Sequence, residues 1–184
     1  HAYQTAERIR KKYPKDEQLQ ITGLIHDLGK ILFNFNVPSW AVVGDTFVLG
    51  CKIPEKVVYY EHCKNHPDYD NDNLGIYQEK CGIENLHLSY GHDEYLYNVL
   101  LHNVNNLQKK YMDIIRFHSF YPWHTSKEYQ YFMKLGDEEI MKNVLEFNEF
   151  DLYSKEDTDF QLTPEIIEYY EKLLTKYFPE PLNW

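Results

Sequence analysis

Leu24-Ile25-His26-Asp27-Leu28-Gly29-Lys30 places an acid and an imidazole inside an apolar helical pattern. At helical period, Leu24, Asp27, Leu28 and Ile31 fall at i, i+3, i+4 and i+7, which is one core-facing stripe. A carboxylate on such a stripe is costly unless something neutralises it. Its neighbour His26 belongs to the residue type most used as a metal ligand. Two explanations are open at this point: a metal site, or a core acid held by a buried Lys or Arg. Gly23, one turn before Asp27, would leave room for an ion. Lys30, one turn after His26, is either part of the site or a surface lysine.

The helix carrying this stretch is expected over 16–34. Before it, 1–13 reads as a helix with the stripe Ala2, Ala6, Ile9, Tyr13, ended by Pro14, and His1 opens that face. After it, 92–104 carries Leu96, Val99 and Leu100 with His92 one turn earlier. The segment 106–118 aligns Leu107, Tyr111, Ile114, Ile115 and His118. The segment 136–152 aligns Ile140, Val144, Phe147 and Asp151, a second acid on a core-facing stripe. A last helix is expected over 163–178, with Thr163 as N-cap, Pro164 in the first helical position and Ile166, Ile167, Tyr170, Leu173, Leu174 and Tyr177 inward. Residues 35–60 read as irregular, with short extended pieces around Gly44-Asp45, and 119–126 is an aromatic segment containing Pro122. There is no repeat, low-complexity tract or linker. The expectation is a single all-α domain over 1–184, with one irregular excursion in its first half.

Composition narrows the function classes. A chain of 184 residues can build a full core, and 43% hydrophobic content argues against disorder. The net charge of −10 disfavours nucleic acid and anionic membranes as partners. Arg8, Arg10 and Arg116 are the only arginines, which speaks against a large polyphosphate-binding surface. Cys51, Cys63 and Cys81 are odd in number, so a reducing, cytoplasmic setting is expected rather than a disulfide framework. No apolar run is long enough to span a membrane, and no signal-peptide pattern occurs. The chain opens on His1 rather than Met, so a natural N-terminus is expected upstream.

Two patterns in 51–79 imitate metal sites. Cys51, His62, Cys63 and His66 have zinc-ligand types at a spacing that matches no usual zinc pattern. Asp68-x-Asp70-x-Asp72 with Glu79 resembles a calcium loop, but Asn73 stands where its glycine is needed and Pro67 precedes it. The first is not expected to bind zinc, and the second is expected to be a polar surface loop.

His26, Asp27, His92, His118 and Asp151, with His1 as an addition, all point toward apolar interiors. Each alone is ordinary, a core histidine with a hydrogen-bond partner for example. Together they suggest a shared partner. Four His and two Asp exceed what one catalytic ion with an open position needs, and they suit two ions with one carboxylate between them. Nitrogen and oxygen ligands without thiolate suit iron, manganese or zinc. Only Glu84-Asn85-Leu86-His87 fits the Glu-x-x-His pattern that ferritin-like di-iron bundles need twice. No His-Glu-x-x-His occurs.

The order His1, His26-Asp27, Asp151 resembles the HD-domain superfamily. The blocks His26-Asp27-Leu28-Gly29-Lys30, Trp40-Ala41-Val42-Val43-Gly44-Asp45-Thr46-Phe47, Gly91-His92-Asp93-Glu94-Tyr95, Arg116-Phe117-His118-Ser119-Phe120-Tyr121-Pro122-Trp123-His124 and Phe150-Asp151-Leu152-Tyr153 resemble the signature blocks of the myo-inositol oxygenase family. The resemblance runs from His1 to Trp184. It implies an HD-like helical bundle holding two irons as an Fe(II)/Fe(III) pair. One iron would take His1, His26, Asp27 and Asp151. The other would take Asp27, His92 and His118, with Asp27 bridging. It implies cleavage of myo-inositol by O2 to D-glucuronate, with Asp27 and Lys30 in the catalytic machinery. Lys30, Gly44, Asp45, His118 and Ser119 would contact the substrate, and a monomer is expected. The family carries further sequence before the position of His1. Rival expectations are a di-iron oxygenase acting on an organophosphonate, an HD phosphohydrolase acting on a nucleotide, and a non-catalytic iron or polyol sensor. The few arginines and the extra His92 and His118 weigh against the phosphohydrolase.

Overall fold

The computed structural model describes residues 1–154 and 160–184, the side chains of 153 and 154 excepted, so Tyr153 of the last signature block lies outside the described side chains. Helix α1 (Ala2–Lys12) buries Thr5, Ala6 and Ile9, and its C-terminal Arg10, Lys11 and Lys12 complement the helix dipole. Helix α2 (Glu17–Ile25) starts at Asp16, whose carboxylate accepts the Leu19 amide N–H at 3.0 Å. A Cβ at Gly23 would lie 2.6 Å from Ile9 Cδ1 and 3.2 Å from Ala6 Cα. The missing side chain therefore lets α1 lie against α2. It does not make space for an ion, as its position before Asp27 had suggested.

The second helix does not run on to residue 34. It ends at Ile25, Asp27 adopts φ −95° and ψ 2°, and Leu28–Phe35 continue as 3₁₀-helix. With three residues per turn the apolar phase slips. Leu24 stays buried, but Leu28 is 45% exposed, contrary to the expected stripe. Residues 36–91 form the excursion. Only short helical pieces interrupt it: α3 (Ser39–Val42), and 3₁₀ pieces at Tyr60–Asn65 and Ile83–Asn85. Residues 41–43, expected as extended, belong partly to α3, which begins at Ser39 after the extended N-cap Pro38. Among the described residues there is no strand, and the one β-bridge joins Val48 to Leu88.

Helix α4 (His92–Leu101) stops three residues before its expected end, and α5 (Lys109–Phe117) starts three after its expected start, because Asn103, Asn105 and Asn106 spend their amides on nearby backbone carbonyls. A single turn, α6 (Tyr121–His124), carries Pro122. Then come α7 (Asp137–Ser154) and α8 (Pro164–Tyr177), the latter capped by Thr163 as expected.

Helix α1 packs along α2 and α7, and α5 packs against α4 and α7. One core joins Ala6, Ile21, Ile25, Leu96, Leu100, Ile115 and Tyr170. A smaller one joins Ile9, Ile114 and Phe147. The excursion has its own aromatic core, in which Val48, Cys51, Ile83 and Leu86 meet Phe117, Phe120, Trp123 and Phe132. The all-α expectation holds, with the excursion wrapped on one end of the bundle.

Both imitations are structural. Cys51 is fully buried and its thiol is pushed up to about 12 by burial, so it carries no thiolate. Asp68 accepts the Gly50 amide at 2.8 Å and the Asn71 side chain at 2.9 Å, and Asp72 accepts the Leu74 amide at 2.9 Å. These acids close turns. His66→Ala should leave the protein's metal content unchanged by elemental analysis. A lost equivalent would restore the thiol-histidine site as a metal ligand set.

Candidate metal centre

His26 and Asp27 occupy the break between α2 and the 3₁₀ segment, His92 opens α4, and His118 follows the last residue of α5. His1 caps α1 and Asp151 lies in the last turn of α7. Three rings are anchored in the same way. Nδ1–H donates to Gly23 O at 2.9 Å in His26, to Val42 O at 2.8 Å in His92, and to Ile115 O at 2.8 Å in His118. A carbonyl only accepts, so each Nδ1 bears the proton and each Nε2 of the neutral ring bears a lone pair. Metal-binding histidines are oriented in this fashion.

The Nε2 atoms converge. His92 Nε2 lies 3.3 Å and His118 Nε2 3.8 Å from Asp27 Oδ1. His26 Nε2 lies 3.5 Å from the other oxygen, Asp27 Oδ2, and 3.3 Å from Asp151 Oδ1. His1 Nε2 is 2.6 Å from the same Asp151 oxygen. His92 and His118 set their Nε2 atoms 3.2 Å apart. Two lone pairs at that distance repel unless a positive charge is shared between them. His26 Nε2 is buried without a hydrogen-bond partner, which is costly unless a cation takes it. Two ligand groups result, His1-His26-Asp27 and Asp27-His92-His118, with Asp27 common to both. The donors are nitrogen and oxygen only, a set that fits iron, manganese or zinc.

Asp27 is held ionised. Burial, the largest influence, opposes its charge, but hydrogen bonds from His118 and His92 and the charge of His26, all supplied when these rings are protonated, together with Lys30 outweigh it and keep its pKa far below the usual carboxylate range. Lys30 Nζ donates to Asp27 Oδ2 at 2.7 Å. Gly29 is required by close approach: a Cβ there would lie 1.8 Å from the His92 carbonyl oxygen. The His118 carbonyl is held from behind by Asn148 Nδ2 at 3.0 Å and His124 Nε2 at 3.2 Å. Burial depresses His124 to about 4, so its ring is neutral.

Of the other expected site residues, Ser119 is buried with Oγ 3.4 Å from His92 Nε2. Gly44 takes φ +118° with nothing within 4 Å of a would-be Cβ. The Asp45 carboxylate accepts the Val58 amide N–H at 3.0 Å, and burial raises its pKa. Gly44 and Asp45 have no direct bond to a metal-ligating side chain; Thr46 N–H, donating to Ser119 O at 2.9 Å, ties their turn to the centre.

Tyr121 escaped the reading of the sequence. Its phenol is pushed up to about 12 by burial and by the negative charges of Asp151, Asp45 and Asp27, so it stays protonated. It sits in a one-turn helix, where no apolar period could single it out.

The family described as Myo-inositol oxygenase matches residues 1–184. Inositol oxygenase 1 of Arabidopsis thaliana is 46% identical over all of this chain and 61% of its own length. The inositol oxygenase of Dictyostelium discoideum is 46% identical over all of this chain and 66% of its own. The human inositol oxygenase is 43% identical over all of this chain and 66% of its own. The chain thus spans somewhat under two thirds of the length of these relatives. With a match along its whole length, the chain belongs to the myo-inositol oxygenase family.

Proposed function

We propose that this chain carries the active site of an oxygenase that cleaves the myo-inositol ring with O2 to give D-glucuronate at a pair of iron ions, Fe(II) and Fe(III). The observation that carries the reading is Asp27, whose two carboxylate oxygens face different imidazole sets. His1, His26, Asp27 and Asp151 would hold one iron, and Asp27, His92 and His118 the other. Bound iron supplies O2 chemistry and acidifies a coordinated hydroxyl. No helix among the described residues is long and apolar enough to cross a membrane. A cytoplasmic monomer is the setting this reading takes, in keeping with free Cys51, Cys63 and Cys81.

The chain's own groups then orient a neutral polyol. A polyol gains affinity from several polar groups at fixed places. Gly44, Asp45, His118 and Ser119 would contact ring hydroxyls. Lys30 keeps a positive charge beside Asp27 Oδ2 and would donate to, or protonate, the oxygen of the reacting hydroxyl.

Anaerobic loading with Fe(II), followed by myo-inositol and O2, should yield glucuronate. Two bound iron equivalents with no glucuronate would overturn the proposal and favour a sensor. Lys30→Ala should keep its iron, since Lys30 is no ligand, while turnover falls by ~10²-fold or more. An unchanged rate would remove Lys30 from the chemistry.

A further inference from the structure

Asp93 follows the ligand His92 in α4 and is fully buried, yet it belongs to neither ligand group. Its Oδ2 accepts the Thr46 hydroxyl at 2.5 Å, and its Oδ1 accepts the Glu94 amide at 2.9 Å. A buried carboxylate is tolerated only with such charge-assisted bonds, and the first turn of α4 adds its own partial positive charge. Thr46 is also buried.

What this bond holds is the segment Val42–Thr46. At one end Val42 O takes the His92 ring N–H at 2.8 Å. At the other, Thr46 is fastened twice, by its hydroxyl to Asp93 and by its amide to Ser119 O at 2.9 Å. Between these fastenings lie Gly44, with φ +118°, and Asp45, whose carboxylate also accepts the Val58 amide N–H at 3.0 Å. The Thr46–Asp93 bond is the side-chain fastening that ties this turn to α4 beside His92. A valine at position 46 would fill the same space without the hydroxyl. It would leave the Asp93 carboxylate short of a donor.

We propose that Thr46 and Asp93 form a positioning pair that sets the Gly44–Asp45 turn against the His92–His118 side of the centre and so determines affinity for the polyol. Neither residue touches the substrate. The inference rests on the inositol reading above.

The test uses the iron-loaded protein with Thr46→Val, Thr46→Ser and Asp93→Asn. Binding is read anaerobically, as the change in the iron electron paramagnetic resonance signal on titration with myo-inositol. KM and kcat are read separately with O2 present. Thr46→Val should keep its full iron content but need about tenfold more myo-inositol for half-saturation, the worth of one hydrogen bond to a charged group. KM should rise by a similar factor while kcat falls far less. Thr46→Ser, which retains the hydroxyl, should bind almost as the native protein does. Asp93→Asn keeps an acceptor without the charge and should fall between. Wild-type affinity in Thr46→Val would overturn the proposal, as would Thr46→Ser binding no better than Thr46→Val. Should Thr46→Val fail to fold, Asp93→Asn decides: wild-type affinity there overturns the pair. A native protein that binds iron but gives no response to myo-inositol would instead sink the inositol reading.

Discussion

Asp27→Ala should strip the protein of both metal equivalents at once. Asp27 is the only acid common to the two ligand groups, and its two oxygens are divided between them. Removing it takes one ligand from each ion and the negative charge they share. What remains on one side is His92 and His118 with Nε2 atoms 3.2 Å apart, and on the other His1 and His26 with Asp151. Two adjacent cations without a shared anion repel in a buried site. Losing a partner that only orients a ligand already costs 10–100-fold in metal affinity, so losing the shared ligand should cost more than ~100-fold at both positions. Elemental analysis after Fe(II) loading should find little iron, and glucuronate formation should fall to background. His92→Ala makes the contrast, because it lies in one group only and should cost one equivalent. Near-full iron in Asp27→Ala would remove the shared-ligand role, and the two-ion centre with it.

Much of this centre was legible because its parts sit on helices with strong apolar periods. His118 ends the Leu107–Tyr111–Ile114–Ile115 stripe, and Asp151 continues that of Val144 and Phe147, so their inward direction followed from spacing alone. His26 and Asp27 were found for a partly mistaken reason. The expected stripe ran through Leu28, yet the chain turns from α to 3₁₀ at Asp27 and leaves Leu28 exposed. No periodicity announces that switch, which falls where the chain passes so close to α4 that a Cβ at Gly29 would lie 1.8 Å from the His92 carbonyl oxygen. Thr46 and Asp93 lie 47 positions apart in the chain, and nothing local marks either as the other's partner. The excursion resisted reading for the same reason: its Val48, Cys51, Ile83 and Leu86 are covered by aromatic side chains from 117–132, without a repeat of its own.

Arg116 belongs to that illegible set, and its loss should be the most destabilising change in the bundle. It lies on α5 two residues before His118, and its guanidinium is buried. Nε donates to Glu94 Oε2 at 2.7 Å and Nη2 to Glu94 Oε1 at 3.1 Å, a two-pronged pair with α4. Its remaining donors hold the excursion, Nη1 to Glu84 O at 2.9 Å and Nη2 to Leu86 O at 3.1 Å. Its face lies over the Tyr97 ring at 4.8 Å. Arg116→Met would keep the aliphatic volume but leave Glu94 buried without its counter-charge. Breaking one partner of a buried pair costs about 3–5 kcal/mol, and for a chain of this size that lowers the melting temperature by roughly 10 °C. The pair itself need not be net stabilising, because desolvating both charges offsets much of their attraction. Arg116→Met combined with Glu94→Met should therefore recover most of the loss in a denaturant melt of the metal-free protein. A loss below ~1 kcal/mol in the single variant, or no recovery in the double, would contradict a desolvated pair. Metal content separates this from Asp27. Glu94 and Arg116 brace the two helices that present His92 and His118, so the single variant should bind iron more weakly on that side alone, and the double variant should regain it.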